Sequence, residues 1–205
     1  RCILIRLALI ANQLRSSSHR SLIIDNESQA ATGMTILSRS AILKLIAQGR
    51  LKITPFSEDQ VGPGSIDLTL GNEFRVFQTK GEVIHATDKI PVDTFTRRVT
   101  VKDGDFLLLK PGELVHGMSR ERIELPDDVA GWLEGRSSYA RIGLMIHMSA
   151  GLVQPGTQNR QVLEISNMSP VPIALHPGTR ICQLVLETMR GRARYTGRFK
   201  DQAAP

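Results

Sequence analysis

From Ile53 onward the chain meets a Gly- or Pro-containing turn about every ten residues, and that spacing restricts the fold more than any other feature. The turns separate short apolar runs: "FTRRVTV", "KDGDFLLLKPGELVHGMS", "IELPDDVAGWLEG", "IGLMIHMSAG" and "QVLEISNMSPVPIALHPGTRICQLVLETM". Runs of this length are strands rather than helices, and many of them in succession predict a sandwich, a jelly roll or a distorted barrel. Ahead of them, Ile66, Leu68 and Leu70 alternate with Asp67 and Thr69, and Phe74, Val76 and Phe77 follow Gly71-Asn72, which predicts strand, turn, strand. The stretches "LLKPGELV" and "ALHPGTRI" share one shape, an apolar run closed by Pro-Gly and reopened by a second strand. Both a pseudo-repeat and plain hairpin chemistry account for that likeness.

The segment "MTILSRSAILKLIAQGRL" has a different period. Ile42, Leu45 and Ile46 fall on one helical face, Ser38 or Ser40 is placed to cap it, and Gly49 to stop it. The main domain is therefore expected to begin near Met34 and to run to residue 189. Residues 1–33 are basic and Ser-rich, with a short apolar run that Arg6 interrupts, too short and broken to span a bilayer. They read as an extension, an organelle-type presequence or an additional helix. A length of 205 residues suffices for one principal core, and the net charge of +6 suits an anionic partner without identifying it. The two cysteines, Cys2 and Cys182, make no disulfide framework, and no Cys/His spacing resembles a zinc site, which fits a reducing, cytoplasmic setting.

Chemistry concentrates between Gly135 and Asn167. "GRSSYARIG" supplies Arg136, Ser137, Ser138 and Arg141; in a helical turn Ser137 and Arg141 share a face, and hydroxyls with guanidinium forks suit phosphate oxygens. A solvated turn, its arginines paired to Glu134 or Asp128, accounts for the same residues. Glu164 stands inside "VLEIS", where strand alternation turns Leu163 and Ile165 to one side and Val162 and Glu164 to the other. A partly enclosed carboxylate there is either a rim residue balanced by arginine or a general base. His147 is expected to share a strand face with Met145 and Ser149, as a satisfied packing residue or as a catalytic one. The tail "RGRARYTGRF" sets Arg190, Arg192, Arg194 and Arg198 around Tyr195, a combination that can neutralise polyphosphate and stack on a base. With six Phe, two Tyr and one Trp there is no repeated aromatic platform for nucleic acid.

The blocks "VGPGSIDLTLGNEFRVF", "LKPGELVHGMSRERIELPDDVAGWLEGRSSYARIGLMIHMSAG", "NRQVLEISNMSPVPIALHPGTRICQLVLE" and "RARYTGRF" resemble, in order, the dCTP deaminase branch of the trimeric dUTPase-like superfamily. The resemblance implies a mainly β, distorted jelly-roll or barrel subunit with a short N-terminal helix, assembled as a homotrimer. It implies zinc-independent hydrolysis of the 4-amino group of dCTP, giving dUTP and ammonia, with magnesium carried by the triphosphate. Glu164 would activate water, Ser137 and the backbone at Ala150 would hold that water, and Arg141 would support the arrangement. Arg136, Ser138, Gln154, Gln183, Arg194, Tyr195 and Arg198 would bind the nucleotide, with residues 190–205 as a tail closing over it. The partners implied are a small deoxynucleotide and copies of the chain, neither nucleic acid nor membrane.

The chain also departs from that family's pattern. Gln154 replaces an aspartate that meets the deoxyribose 3'-hydroxyl and that, in dUTPases, is tied to the water attacking phosphate. Glutamine still hydrogen-bonds a hydroxyl but is no base. Gly151 replaces the histidine of the "TAH" form, Arg194-Tyr195 stands for lysine-tyrosine, and Arg198 for a glutamine. Deamination to dUTP is thus the first expectation. The alternatives are a bifunctional enzyme releasing dUMP and pyrophosphate, and a deoxynucleotide-binding protein without turnover.

Overall fold

The computed structural model describes residues 35–78, 83–87, 92–197, 199, 200, 202 and 205. The expectations for residues 1–33, for Met34 and for Arg198 lie outside the described residues.

The first helix among the described residues, α1 (Arg39–Ala47), starts after Ser38, whose extended backbone makes it the N-cap; Ser40 lies inside the helix. The Ser38 hydroxyl faces that of Ser40 at 3.0 Å instead of closing onto the backbone. Ile42 is fully buried, Leu45 and Ile46 pack partly buried against the core, and Gly49 ends the helix region in the left-handed conformation that glycine adopts without strain (φ 67°).

The strands follow: β1 (Lys52–Thr54), β2 (Ser65–Phe77), β3 (Thr96–Thr100), β4 (Leu107–Leu109), β5 (Leu114–Glu124), β6 (Val129–Gly135), β7 (Leu144–Ile146), β8 (Leu152–Val153), β9 (Gln158–Asn167), β10 (Ile173–Leu175) and β11 (Arg180–Thr188). A turn of helix, α2 (Val92–Phe95), leads into β3, and another, α3 (Ser137–Ala140), separates β6 from β7. Among the described residues nine strands form one curled sheet in the order β7-β9-β5-β2-β11-β6-β8, with β1 added to β5 and β3 to β2. This is the mainly β, distorted jelly-roll architecture with a short N-terminal helix. Its core lies where the inward residues of opposed strands meet: Leu68, Leu70 and Phe74 of β2, Leu163 and Ile165 of β9, and Leu184 of β11 are all fully buried.

The Gly71-Asn72 turn expected from the sequence is absent. β2 runs through it as one strand of 13 residues, and the pair is instead a bulge, where the register against β5 shifts between Leu70 and Phe74. Close approach explains the glycine: a Cβ at position 71 would stand 2.8 Å from Arg160 Nη2 and 2.9 Å from the Met118 carbonyl oxygen. The two Pro-Gly motifs prove to be neighbours. The apolar runs before them, β4 and β10, pair with each other as a separate ribbon, Leu107 opposite Leu175 and Leu109 opposite Ile173. Gly112 and Gly178 then turn the chain with φ of 77° and 88°.

Candidate functional site

β9 carries the carboxylate that the sequence analysis singled out, and alternation along it settles which way that carboxylate faces. Leu163 and Ile165 are fully buried in the core, whereas Val162 and Glu164 are half-buried on the opposite face, lining a cavity of about 1000 Å³. That volume is at the upper end of ordinary small-molecule sites. Glu164 is held, not merely placed. The Ser149 hydroxyl stands 2.8 Å from Oε1 and 2.9 Å from Oε2, and the Ser149 amide donates to Oε2 at 3.1 Å. The His147 amide donates to the Glu164 carbonyl oxygen at 2.7 Å, which ties the following loop to the same strand.

His147 differs from the expectation. β7 ends at Ile146, and His147 turns into the left-handed region with φ 56°, so it shares no strand face with Met145 and Ser149. A left-handed turn by a residue with a Cβ is uncommon, and here it swings the chain so that Ser149 meets Glu164. Both ring nitrogens of His147 are buried without a hydrogen-bond partner among the described residues, so within these the ring is not the satisfied packing histidine of the first reading. It lines the cavity.

Across the sheet, the cavity wall is a row of polar residues in register. Arg98 of β3 lies opposite Arg75 of β2, Arg75 opposite His116 of β5, and His116 opposite Glu164 of β9. All four line the cavity. The Arg75 side chain is nearly buried and reaches Asp93, the Thr96 hydroxyl at 3.1 Å and the Pro205 carbonyl oxygen. The arginine holds the Asp93 carboxyl below its ordinary range. Burial pushes the His116 imidazole below its ordinary range, Glu164 opposes that shift, and Arg75 adds to it. Sequence reading missed His116, Arg75 and the capping role of Ser149. His116 and Arg75 sit in ordinary alternating stretches, and only the pairing of distant strands brings them to the wall that Glu164 shares, whereas Ser149 reaches Glu164 through the turn at His147.

Of the residues expected in the site, Glu164, Ala150, Gln154 and Tyr195 line this cavity. Arg194 packs over the turn at Gly156, where a Cβ would meet its Cγ at 2.8 Å, and the Tyr195 amide donates to the Pro155 carbonyl oxygen at 2.9 Å. Arg136, Ser137, Ser138, Arg141 and Gln183 are not among the residues lining it. They belong to a second group around α3 and β11. Ser137, Ser138 and Arg141 are exposed there, with the Arg141 amide donating to the Ser137 carbonyl oxygen at 3.2 Å in a helical turn. Arg136 lies 3.3 Å from Asp67 and donates to the Arg180 carbonyl oxygen at 2.7 Å, so neither Glu134 nor Asp128 is its partner. Gln183 reaches the same Asp67 at 3.4 Å. Cys182, beside Gln183, is buried, and burial pushes its thiol far above the ordinary range.

Among the described residues no group of three or more His, Cys, Asp or Glu is arranged to hold a metal ion, and no helix is long and apolar enough to cross a membrane.

Residues 36–189 match the model of the family described as "dCTP deaminase-like". The chain is 39% identical over 158 residues to the "dCTP deaminase, dUMP-forming" of Methanobrevibacter smithii, covering 76% of this chain and 81% of that one. It is 39% identical over 183 residues to the "dCTP deaminase" of Rhodospirillum rubrum, covering 82% and 93%. The crystal structure of 2'-deoxycytidine 5'-triphosphate deaminase from Agrobacterium tumefaciens superposes with a TM-score of 0.59 at 25% identity, over 76% of this chain and 48% of that one.

Proposed function

We propose a reaction from a plain premise: the chain belongs to the dCTP deaminase-like family, whose chemistry is hydrolytic removal of an amino group from a cyclic amidine. The proposed substrate is dCTP and the proposed base is Glu164. The observation that carries this reading is the Glu164 carboxylate, fixed by the Ser149 hydroxyl and amide on the wall of a cavity shared with Ala150, Gln154 and Tyr195.

The steps follow from what such a carboxylate can do. Glu164 takes one proton from water, and the hydroxide oxygen bonds to C4 of the cytosine ring while that proton passes to N3. The tetrahedral carbon collapses when its C4–N4 bond breaks, the nitrogen leaving as ammonia with the hydroxyl proton that Glu164 has carried across. Water is consumed, a carbonyl replaces the amine, and the glutamate returns to its starting state. Magnesium enters on the triphosphate.

Arg136, Ser137, Ser138 and Arg141 do not line the cavity of their own chain. For Ser137 to hold the water and Arg136 with Ser138 to take phosphate oxygens, they must come from a neighbouring copy, which is the assembly proposed: a homotrimer with sites shared between subunits. Gln154, on the cavity wall, would take the sugar hydroxyl, and Arg194 and Tyr195 belong to a tail, residues 190–205, that closes over the nucleotide. In this reading residues 34–189 are the catalytic domain and residues 1–33 an N-terminal extension or targeting-like leader.

The Methanobrevibacter relative is a dUMP-forming dCTP deaminase, and that likeness supports dUMP, released together with pyrophosphate, as the product here. This moves the weight away from dUTP, the first expectation. The reading in which dUTP is the end product stays in play on one specific observation: Gln154, at the cavity, offers no base for attack on phosphorus. Purified protein incubated with dCTP, dUTP, CTP or dCMP and magnesium separates these outcomes. Ammonia and pyrophosphate in equal amounts from dCTP establish the dUMP-forming reaction, ammonia with dUTP establishes simple deamination, and nucleotide binding without either product overturns both.

A further inference from the structure

The cross-strand row on the cavity wall poses a problem for any base at Glu164. Arg75, His116 and Glu164 are directly opposite one another on three adjacent strands, so their side chains leave the sheet on one face. Two strand spacings separate Arg75 from Glu164, about 9.6 Å of backbone. An arginine and a glutamate side chain together are long enough to close that gap. The guanidinium is turned the other way, onto Asp93, Thr96 and the Pro205 carbonyl oxygen. Asp93 is the charged partner among these, and with its own side chain 83% exposed it meets the nearly buried guanidinium in competition with water. A half-buried carboxylate would compete well with Asp93, and what stands between is the His116 ring. Phe77, two residues along β2 from Arg75, packs edge-on to that ring with centroids 5.4 Å apart and keeps it in place.

We infer that His116 is a positioning residue for Glu164: its uncharged ring is a spacer that keeps the Arg75 guanidinium off the carboxylate, leaving both carboxylate oxygens for Ser149 and for the proton of the attacking water. The inference deepens the proposed deamination and rests on that reading. A carboxylate paired with Arg75 would be held as the anion, its lone pairs occupied, and would be unable to take and return a proton in each turnover. The groups in register with His116 are Arg75 from β2, with Arg98 of β3 beyond it, and Glu164 from β9, while Asp93 of α2 and His147 after β7 line the same cavity. Burial and Arg75 both disfavour its cation, and Glu164 favours it. The ring is therefore neutral at neutral pH, and acidification converts the spacer into a cation that itself engages Glu164.

Three variants of the full chain test this, Glu164→Gln, His116→Ala and His116→Phe. In the first, the His116 titration followed by NMR needs no turnover. Loss of the carboxylate should lower its midpoint by on the order of one pH unit, and an unchanged midpoint would overturn the coupling. In crystals of His116→Ala, an Arg75–Glu164 pair is expected, and an Arg75 still turned to Asp93 would overturn the spacer. With dCTP, His116→Ala should lose roughly tenfold or more in kcat with little change in KM, which is the pattern for a group acting only in the chemical step. His116→Phe, which fills the space without titrating, should restore most of that kcat and remove the acid-side loss that His116 protonation causes. Equal losses in the two variants would contradict the spacer. A chain that turns over no dCTP at all would sink the functional reading while leaving the NMR and crystallographic results to decide this one.

Discussion

Two glutamates lie on paired strands of the same sheet, and their surroundings make them different kinds of residue. Glu121 of β5 is 1% exposed; its carboxylate accepts the Thr69 amide at 2.8 Å and the Gln60 side-chain amide at 2.9 Å, bolting the turn Glu58–Gln60 to β2. Glu164 of β9 is less buried, is held from one side by Ser149, and faces a cavity. Depth of burial therefore does not mark the chemical carboxylate. Glu121 has every partner it needs within its own chain and nowhere for a substrate to approach, whereas Glu164 is fixed in position with room beside it.

The largest effect on the scaffold that aims Glu164 is expected beneath it. Leu163→Ala opens a cavity in the core and should cost about 2 to 5 kcal/mol of stability, whereas Val162→Ala, on the Glu164 face, should cost clearly less in the same chemical denaturation series. Equal costs would break the assignment of faces on β9. Next comes Glu121→Gln, which leaves the Gln60 amide without its acceptor or makes it compete for a new one. A loss of about 1 to 3 kcal/mol is expected, with KM for dCTP unchanged in protein that remains folded. Ser149→Ala sharpens the other side of the contrast: kcat should fall by roughly tenfold, the size of one hydrogen bond of net value, while the thermal midpoint barely moves.

The smallest effect is a pH dependence. Folding lowers the proton affinity of His116, so the unfolded chain binds more protons below the ordinary imidazole value of 6.5. Stability contributed by this residue is complete above that value and declines as pH falls through it toward the folded-state value. Glu164→Gln should deepen the decline, because the carboxylate favours the His116 cation. A titration of stability that is indifferent to Glu164 but altered by Glu121→Gln would reverse the comparison.

Much of this was legible in the sequence, and the exceptions have physical causes. Strand period and Pro-Gly punctuation suffice for a mainly β fold, and the alternation through Val162, Leu163, Glu164 and Ile165 suffices to turn Glu164 away from the core. Gly71-Asn72 misleads because a bulge and a tight turn call for the same residue types; the close approach of Arg160 and Met118 that selects glycine there is a long-range contact. His147 misleads because its place after an apolar run reads as strand, while the left-handed backbone at its position depends on how the following loop is tied to β9. Glu121 lies in "SRERIELPDD", where neighbouring charges suggest a surface, and its burial is set by Thr69 and Gln60, both more than fifty residues away. The division of the expected site between two groups of residues is equally invisible in one dimension. Its blocks are close in sequence, yet α3 and the Glu164 face of β9 present their side chains to different places.

The most direct measurement is the rate of ammonia release from saturating dCTP by Glu164→Gln and Glu121→Gln beside the unaltered chain, each first shown to be folded. Glu164→Gln should lose about a thousandfold or more of kcat, the scale of a general base that is removed, while Glu121→Gln keeps kcat within a few-fold. Ammonia release by Glu164→Gln at the rate of the unaltered chain would contradict the assignment of Glu164 as the base.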